Sequence, residues 1–153
     1  NNFGPWQFPE KLVPLTIFNA INKKSINIYG DGSNIRDWIF VEDHTRFLLE
    51  VMLKGGLGET YCIGVSQQKS NNQIVDLICE LLDKKIKSNS PHIRLKRFIK
   101  DRPGHDQEYG IDNKKLINKI GCDNPTDFKL AINLTVEWYL NNMDWCRNIL
   151  KSN

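Results

Sequence analysis

The stretch SINIYGDGSNIRDWIFV, Ser25 to Val41, decides the fold class. Ser25 to Tyr29 reads as a short strand. Gly30-Asp31-Gly32-Ser33-Asn34 follows with turn residues, two of them glycines that accept positive φ without strain. Arg36 to Val41 then reads as a returning strand, so the expected unit is a hairpin. From Glu42 to Lys54 the period changes. His44, Phe47, Leu48 and Val51 share one helical face, and Gly55-Gly56 ends the helix. Strands running directly into a helix imply an α/β or α+β module.

The flanks continue the alternation. Pro9-Glu10 opens a helical pattern with Leu12, Leu15, Phe18 and Ile21 near one stripe, and Pro14 fits only in its first turns. Thr60-Tyr61-Cys62-Ile63-Gly64 has the composition of a fully buried strand. Ser70 and Gln73 have capping-box spacing ahead of a helix with Ile74, Ile78, Leu81 and Leu82 as its buried stripe. Ile93, Leu95 and Ile99 mark a further strand. Asp112 is placed to cap a helix through Leu116, Ile117 and Ile120 that stops at Gly121. A last long helix starts near Thr126, with Phe128, Ala131, Thr135 and Trp138 at helical spacing.

With 153 residues the chain suits one domain. Hydrophobic residues at 40%, charged residues at 25% and the aromatic content (4 Trp, 4 Tyr, 7 Phe) exclude a disordered tail or a fibrous repeat. Apolar runs such as Phe47-Leu48-Leu49 are too short for a membrane span, and Asn1-Asn2-Phe3-Gly4-Pro5 is no signal peptide. A cytoplasmic protein with no membrane partner is expected. The balance of 21 Lys+Arg against 18 Asp+Glu, net +3, is too weak for a nucleic-acid binder. Cys62, Cys79, Cys122 and Cys146 form no CxxC, so free structural thiols and no metal site are expected. The chain begins without Met on a dense motif, and a fragment of a longer protein is expected.

Four segments hold more polar and conformationally special residues than packing requires: Asn1 to Pro5, Phe8 to Leu12, Ile28 to Asp43, and Asp101 to Asp106. Singly, each has a plain structural explanation. Gly4-Pro5 could be a turn, Arg36-Asp37 a surface ion pair, and Asp101 to Asp106 a solvated loop. Together they make another inventory. Arg36 and Arg102 both follow turn segments, and guanidinium suits bidentate phosphate recognition. Tyr29 and Tyr109 offer flat faces for a base. Asn1, Asn71 and Lys11 offer partners for hydroxyls and phosphate. These are the parts of a nucleotide diphosphate site. No G-x-G-x-x-G loop, Tyr-x-x-x-Lys pair or nucleophilic triad accompanies them. His44, on an apolar helical face, reads as a hydrogen-bonded core histidine.

The strings NNFGPWQFPEKL, IYGDGSNIRDWIFVEDH, GETYCIG and DRPGHD resemble the C-terminal half of the dTDP-glucose 4,6-dehydratases, within the extended short-chain dehydrogenase/reductase family. The resemblance runs from Asn1 to about Trp145, with FPEKL and DRPGHD as its sharpest signals. It implies an α/β fold of helices with short strands, one nucleotide-sugar-binding domain over residues 1–153, lacking the N-terminal Rossmann half. It implies a dTDP-glucose-like substrate, NAD bound mainly by the other half, and a homodimer for the full-length protein. That chemistry oxidises C4 of the hexose, eliminates water across C5 and C6, and returns the hydride to C6.

Carried across by position, the resemblance puts no catalytic residue in this chain. Asn1 would contact substrate and Asn2 would reach NAD. Lys11 and Leu12 would line the diphosphate and sugar region, and Asn27, Ile28 and Tyr29 the thymine end. Arg36 would grip the diphosphate, with Asn71 on the nucleotide side. Asp101, Arg102, Pro103, Gly104 and His105 would close over it, Arg102 as a second clamp and Tyr109 bordering the pocket. Asn27, Cys62, Val65 and Asn72 stand where the family usually has proline, asparagine, glycine and an apolar residue. A UDP-sugar epimerase or dehydratase, or a non-catalytic binding module, are the alternatives. The stripes of the helices opening at Pro9, Glu42 and Ser70 are expected to face partly onto the missing half.

Overall fold

The computed structural model describes residues 1–151. In chain order the elements are β1 (Asn2–Phe3), α1 (Leu12–Ile21), β2 (Ile26–Tyr29), β3 (Ile35–Asp37), β4 (Ile39–Phe40) and α2 (Val41–Lys54). They continue with β5 (Gln68–Ser70), α3 (Asn71–Lys85), β6 (Lys96–Ile99), α4 (Lys114–Ile120), α5 (Phe128–Asn141) and α6 (Met143–Lys151). No described helix is long and apolar enough to cross a membrane.

The hairpin expected over 25–41 does not form. β2 pairs in parallel with β6, Ile26 opposite Lys96 through Tyr29 opposite Ile99, whereas β3 pairs antiparallel with β5. β1 and β4 make a third, parallel pair. The glycine turn carries the chain from one pair to the next instead of folding it back. The Gly30 N–H donates to the Ile99 carbonyl at 2.9 Å, which keeps the chain beside β6 past the end of β2. The Asn72 N–H donates to Gly32 O at 3.0 Å and its amide to Asp31 O at 2.7 Å, docking the turn on the start of α3. A parallel partner needs a long crossover, and the route from β2 to β6 includes α3.

Gly32 has φ 74, and a Cβ there would lie 2.6 Å from the Asn72 side-chain oxygen Oδ1. Gly32→Ala is therefore expected to cost roughly 1–2 kcal/mol from the left-handed backbone alone. The check is a lower urea midpoint at unchanged slope.

The helices follow the sequence more closely. Ser70 Oγ accepts from the Gln73 N–H at 3.2 Å while Gln73 Oε1 accepts from the Ser70 N–H at 2.8 Å, completing the capping box. Gly121 ends α4 with φ 84. Asn113, not Asp112, occupies the cap position, although Asp112 Oδ1 accepts from the Lys114 N–H at 3.0 Å. Asp127 caps α5 through the Leu130 N–H, and the chain breaks at Asn142 into α6, which the periodicity does not separate. The strand expected over 93–99 begins later, because His92–Leu95 winds into a 3-10 turn.

The main core joins α1 (Val13, Ile17, Ala20), α3 (Ile74, Val75, Ile78, Leu82) and α5 (Ala131, Ile132, Val136) to Ile26 and Ile28. α1 buries Val13, Ile17 and Ala20 and leaves its expected stripe of Leu12, Leu15, Phe18 and Ile21 half-buried, whereas α3 buries Ile74, Ile78 and Leu82 of its stripe within this chain. α2 does not: Leu48, Leu49, Met52 and Leu53 are exposed, and the adjacent Leu57 is too. A smaller core collects Ile39, Phe47, Leu116, Ile120 and Cys122. Residues 60–64 run beside it as coil and not as the expected buried strand. No ladder partner faces them among the described residues, so only alternate side chains, Tyr61 and Ile63, turn inward. Cys62 is exposed, and Cys79, Cys122 and Cys146 are buried and unbridged.

Candidate functional site

A cleft of about 590 Å³ opens between the start of the chain, the first turn of α1, β2 and the loop after β6. β2 alternates buried and exposed residues, so Ile26 and Ile28 enter the core while Asn27 and Tyr29 stay on the cleft side. The Tyr29 ring is half exposed and available for stacking. Asn1, Asn2, Lys11, Leu12 and Ile28 complete that wall. Arg36, Asn71, Arg102 and His105 line the rest.

Arg36 is only 6% exposed, which removes the surface ion pair. Its Nη2 donates to Asp106 O at 2.6 Å and its Nη1 to Ile35 O at 2.7 Å. Its guanidinium carbon lies 4.6 Å from the centre of the Tyr109 ring. Asp37 is engaged elsewhere, accepting from the Gln67 N–H at 3.0 Å and the Ser66 N–H at 3.3 Å. Successive strand residues face opposite sides, so neighbours in sequence are not neighbours in space. Among the described residues no carboxylate pairs with Arg36 or Arg102. Lys11 pairs with Glu10 at 2.8 Å, both side chains 60% exposed, a contact an incoming anion can displace at little cost.

The loop after β6 is ordered by Asp101. Its Oδ1 accepts from the Arg102 N–H at 2.8 Å and lies 2.7 Å from His105 Nδ1. The His105 hydrogen bond, ahead of the other causes, holds the Asp101 carboxyl below its ordinary pKa. Asp101 thus orients His105 instead of lining the cleft itself. Pro103 and Gly104 also lie outside the lining, and Gly104 takes φ 68 in open space. Tyr109 does not border the pocket either. It lies behind Arg36, and its hydroxyl donates to Asn1 Oδ1.

Gln7, Glu10, Val13, Leu15 and Trp38 line the cleft without having been singled out. Gln7, Glu10 and Trp38 lie within the quoted NNFGPWQFPEKL and IYGDGSNIRDWIFVEDH strings, whereas Val13 and Leu15 look like ordinary core residues in the sequence. A second cavity of about 420 Å³ lies between Asp37, Ser66, Gln68 and Gly110 to Lys114.

His44 is hydrogen-bonded but only half buried. Its Nδ1 lies 3.0 Å from the Asn2 amide nitrogen, and burial pushes its pKa below the ordinary value. A neutral ring accepting from Asn2 fits that direction. For NAD, these residues fit as one margin of a site: a single amide at the cleft edge, with no glycine-rich phosphate loop in the chain. Among the described residues, no group of three or more His, Cys, Asp or Glu could hold a metal ion.

Helices around short parallel strand pairs, with a cationic cleft beside β2, make this chain an α/β portion of the extended short-chain dehydrogenase/reductase fold. It belongs to the GDP-mannose 4,6 dehydratase family, whose model matches residues 1–135. It is 45% identical over 149 residues to the dTDP-glucose 4,6-dehydratase of Escherichia coli, covering 97% of this chain and 41% of that enzyme. The chain thus spans less than half the length of that relative. Its structure superimposes on dTDP-glucose 4,6-dehydratase from Bacillus anthracis in complex with NAD, with a TM-score of 0.85 and 38% identity. That match covers 97% of this chain and 45% of the other. The Streptomyces venezuelae dTDP-glucose 4,6-dehydratase, also with NAD bound, gives a TM-score of 0.85 at 32% identity, covering 97% and 44%.

Proposed function

We propose that this chain is the C-terminal, nucleotide-sugar-binding part of an NAD-dependent dTDP-glucose 4,6-dehydratase, with residues 1–153 as its substrate domain. One observation carries the reading. Lys11, Arg36 and Arg102 line one cleft together with the half-exposed Tyr29 ring, and neither guanidinium has a carboxylate partner among the described residues. Guanidinium groups without a carboxylate partner, beside an exposed aromatic face, suit a nucleoside diphosphate.

In this reading Asn27 and Tyr29 take the thymine end, and Arg36, Arg102 and Lys11 take the diphosphate. Asn1, Leu12 and Asn71 border the nucleotide and sugar, and Asp101 aims His105 into the cleft. Remote binding energy of this kind retains and orients the hexose while its carbons react elsewhere. NAD, when bound, supplies reversible hydride transfer, and Asn2 is the residue here that would touch it. The exposed leucines and methionine of α2 form the seam for the remainder of the polypeptide, of which the relatives have more than twice this length. The complete enzyme is read as a cytoplasmic homodimer.

The test is a comparison of the complete polypeptide with this chain alone. The complete enzyme should convert dTDP-glucose with bound NAD into the 4-keto-6-deoxy sugar, and this chain alone should give none. Turnover by the chain alone would contradict the division of labour. A complete enzyme that ignores dTDP-glucose and uses UDP-glucose would transfer the reading to a UDP-sugar enzyme.

A further inference from the structure

The loop from Gly4 to Lys11 delivers Gln7, Glu10 and Lys11 to the cleft. Lys11 is the N-cap residue of α1 and makes no side-chain cap, so the loop sets how the helix enters. The loop itself is unusual. Gly4 has φ 144 and Trp6 has φ 65, a left-handed conformation that bulky residues rarely adopt.

What holds it there comes from the far end of the chain. The Trp6 ring packs on Trp138, centroids 4.8 Å apart, and meets Trp145 edge-on at 5.3 Å. Trp138 and Trp145 contact each other at 5.4 Å. Beside them the buried Tyr139 hydroxyl donates to Gln7 O at 2.6 Å, and the Gln7 amide donates to Asn2 O at 2.8 Å. α5 and α6, which carry Trp138, Tyr139 and Trp145, contribute no residue to the cleft. Trp138, Tyr139 and Trp145 instead contact this loop, which itself supplies cleft residues.

We infer that Trp6, Trp138 and Trp145 form a positioning clamp that sets Lys11 for diphosphate recognition, Trp6 being the ring that the loop itself contributes. The inference rests on reading the cleft as a nucleoside diphosphate site. Aromatic contacts fix the loop in a backbone state that it would otherwise leave.

The test titrates dTDP by calorimetry into the complete enzyme. Trp6→Gly removes the ring while glycine takes φ 65 freely, so backbone strain does not confuse the result. Binding should weaken about tenfold, and Trp6→Phe should recover most of it, since a smaller ring keeps part of the stacking. In a Lys11→Ala background, Trp6→Gly should change affinity by less than about twofold, because the clamp acts through Lys11. Trp145→Leu, at the far side of the cluster, should weaken dTDP in the same direction and serves if Trp6→Gly fails to fold. Equal losses with and without Lys11 would overturn the inference in favour of a purely structural cluster. So would unchanged affinity in Trp6→Gly while Arg102→Ala remains impaired, and that outcome leaves the cleft reading intact. A wild-type enzyme that does not bind dTDP would overturn both.

Discussion

Arg36→Ala and Arg102→Ala, made in the complete enzyme, are each expected to weaken dTDP binding by about 1.5–3 kcal/mol, the scale of a hydrogen bond to a charged group. The two variants should differ in what else they do. Arg102 is exposed and its guanidinium has no ion-pair partner among the described residues, so its loss should leave the melting temperature unchanged. Arg36 is buried, donates to the carbonyls of Ile35 and Asp106, and stacks on Tyr109. Arg36→Ala removes two charge-assisted hydrogen bonds and the contact with Tyr109, although Ile35 O keeps the Tyr109 N–H and Asp106 O keeps the Asn34 amide, and it should also lower stability, by about 1–3 kcal/mol. Lysine at either position should rescue binding only in part, because an ammonium cannot copy the planar fork. Calorimetry with dTDP alongside thermal melts separates the two effects. Unaltered dTDP affinity in both variants would remove the diphosphate clamp.

A comparably large effect is expected at Asp43. This carboxylate is 4% exposed and accepts from the Thr126 N–H at 2.8 Å, the Thr126 hydroxyl at 3.1 Å and Arg46 Nη2 at 2.8 Å. It ties α2 to the segment that leads into the Asp127 cap of α5. Asp43→Ala strands a backbone N–H and a hydroxyl in a covered place and leaves Arg46 only the Asn124 carbonyl, 2.6 Å from its Nη2, as hydrogen-bond acceptor. The expected loss is about 3 kcal/mol, near the lower bound for breaking a buried pair, because Arg46 is half exposed and regains water. Asp43→Asn keeps acceptor capacity toward Thr126 and should lose roughly half as much. Chemical denaturation reads both, and an Asp43→Ala protein as stable as wild type would show that the Thr126 contacts carry no weight.

The helices were legible because their signals are local. Ser70 with Gln73, and Gly121 after Ile120, state a start and a stop within a few residues. Strand partners were not legible. A period of two tells which face of β2 is buried, but its partner β6 lies across α3, and Gln68-Lys69-Ser70 carries no apolar alternation to announce β5. For the cleft, residue chemistry was readable and attachment was not. Arg36 stood out as a guanidinium after a turn, while the carbonyls of Ile35 and Asp106 that hold it, and the Tyr109 ring behind it, depend on the folded path of the 106–109 loop. Asp101 and Tyr109, expected at the site, lie outside the cleft lining, and each contacts a residue that belongs to it.

The most direct test of the nucleoside diphosphate cleft is an amide chemical-shift titration of this chain with dTDP. The account predicts perturbations concentrated at Asn27 to Tyr29, Arg36, Asn71 and Arg102 to His105, the lining of the larger cleft. Shifts confined to the second cavity, at Ser66, Gln68 and Gly110 to Lys114, or no shifts at all, would contradict it.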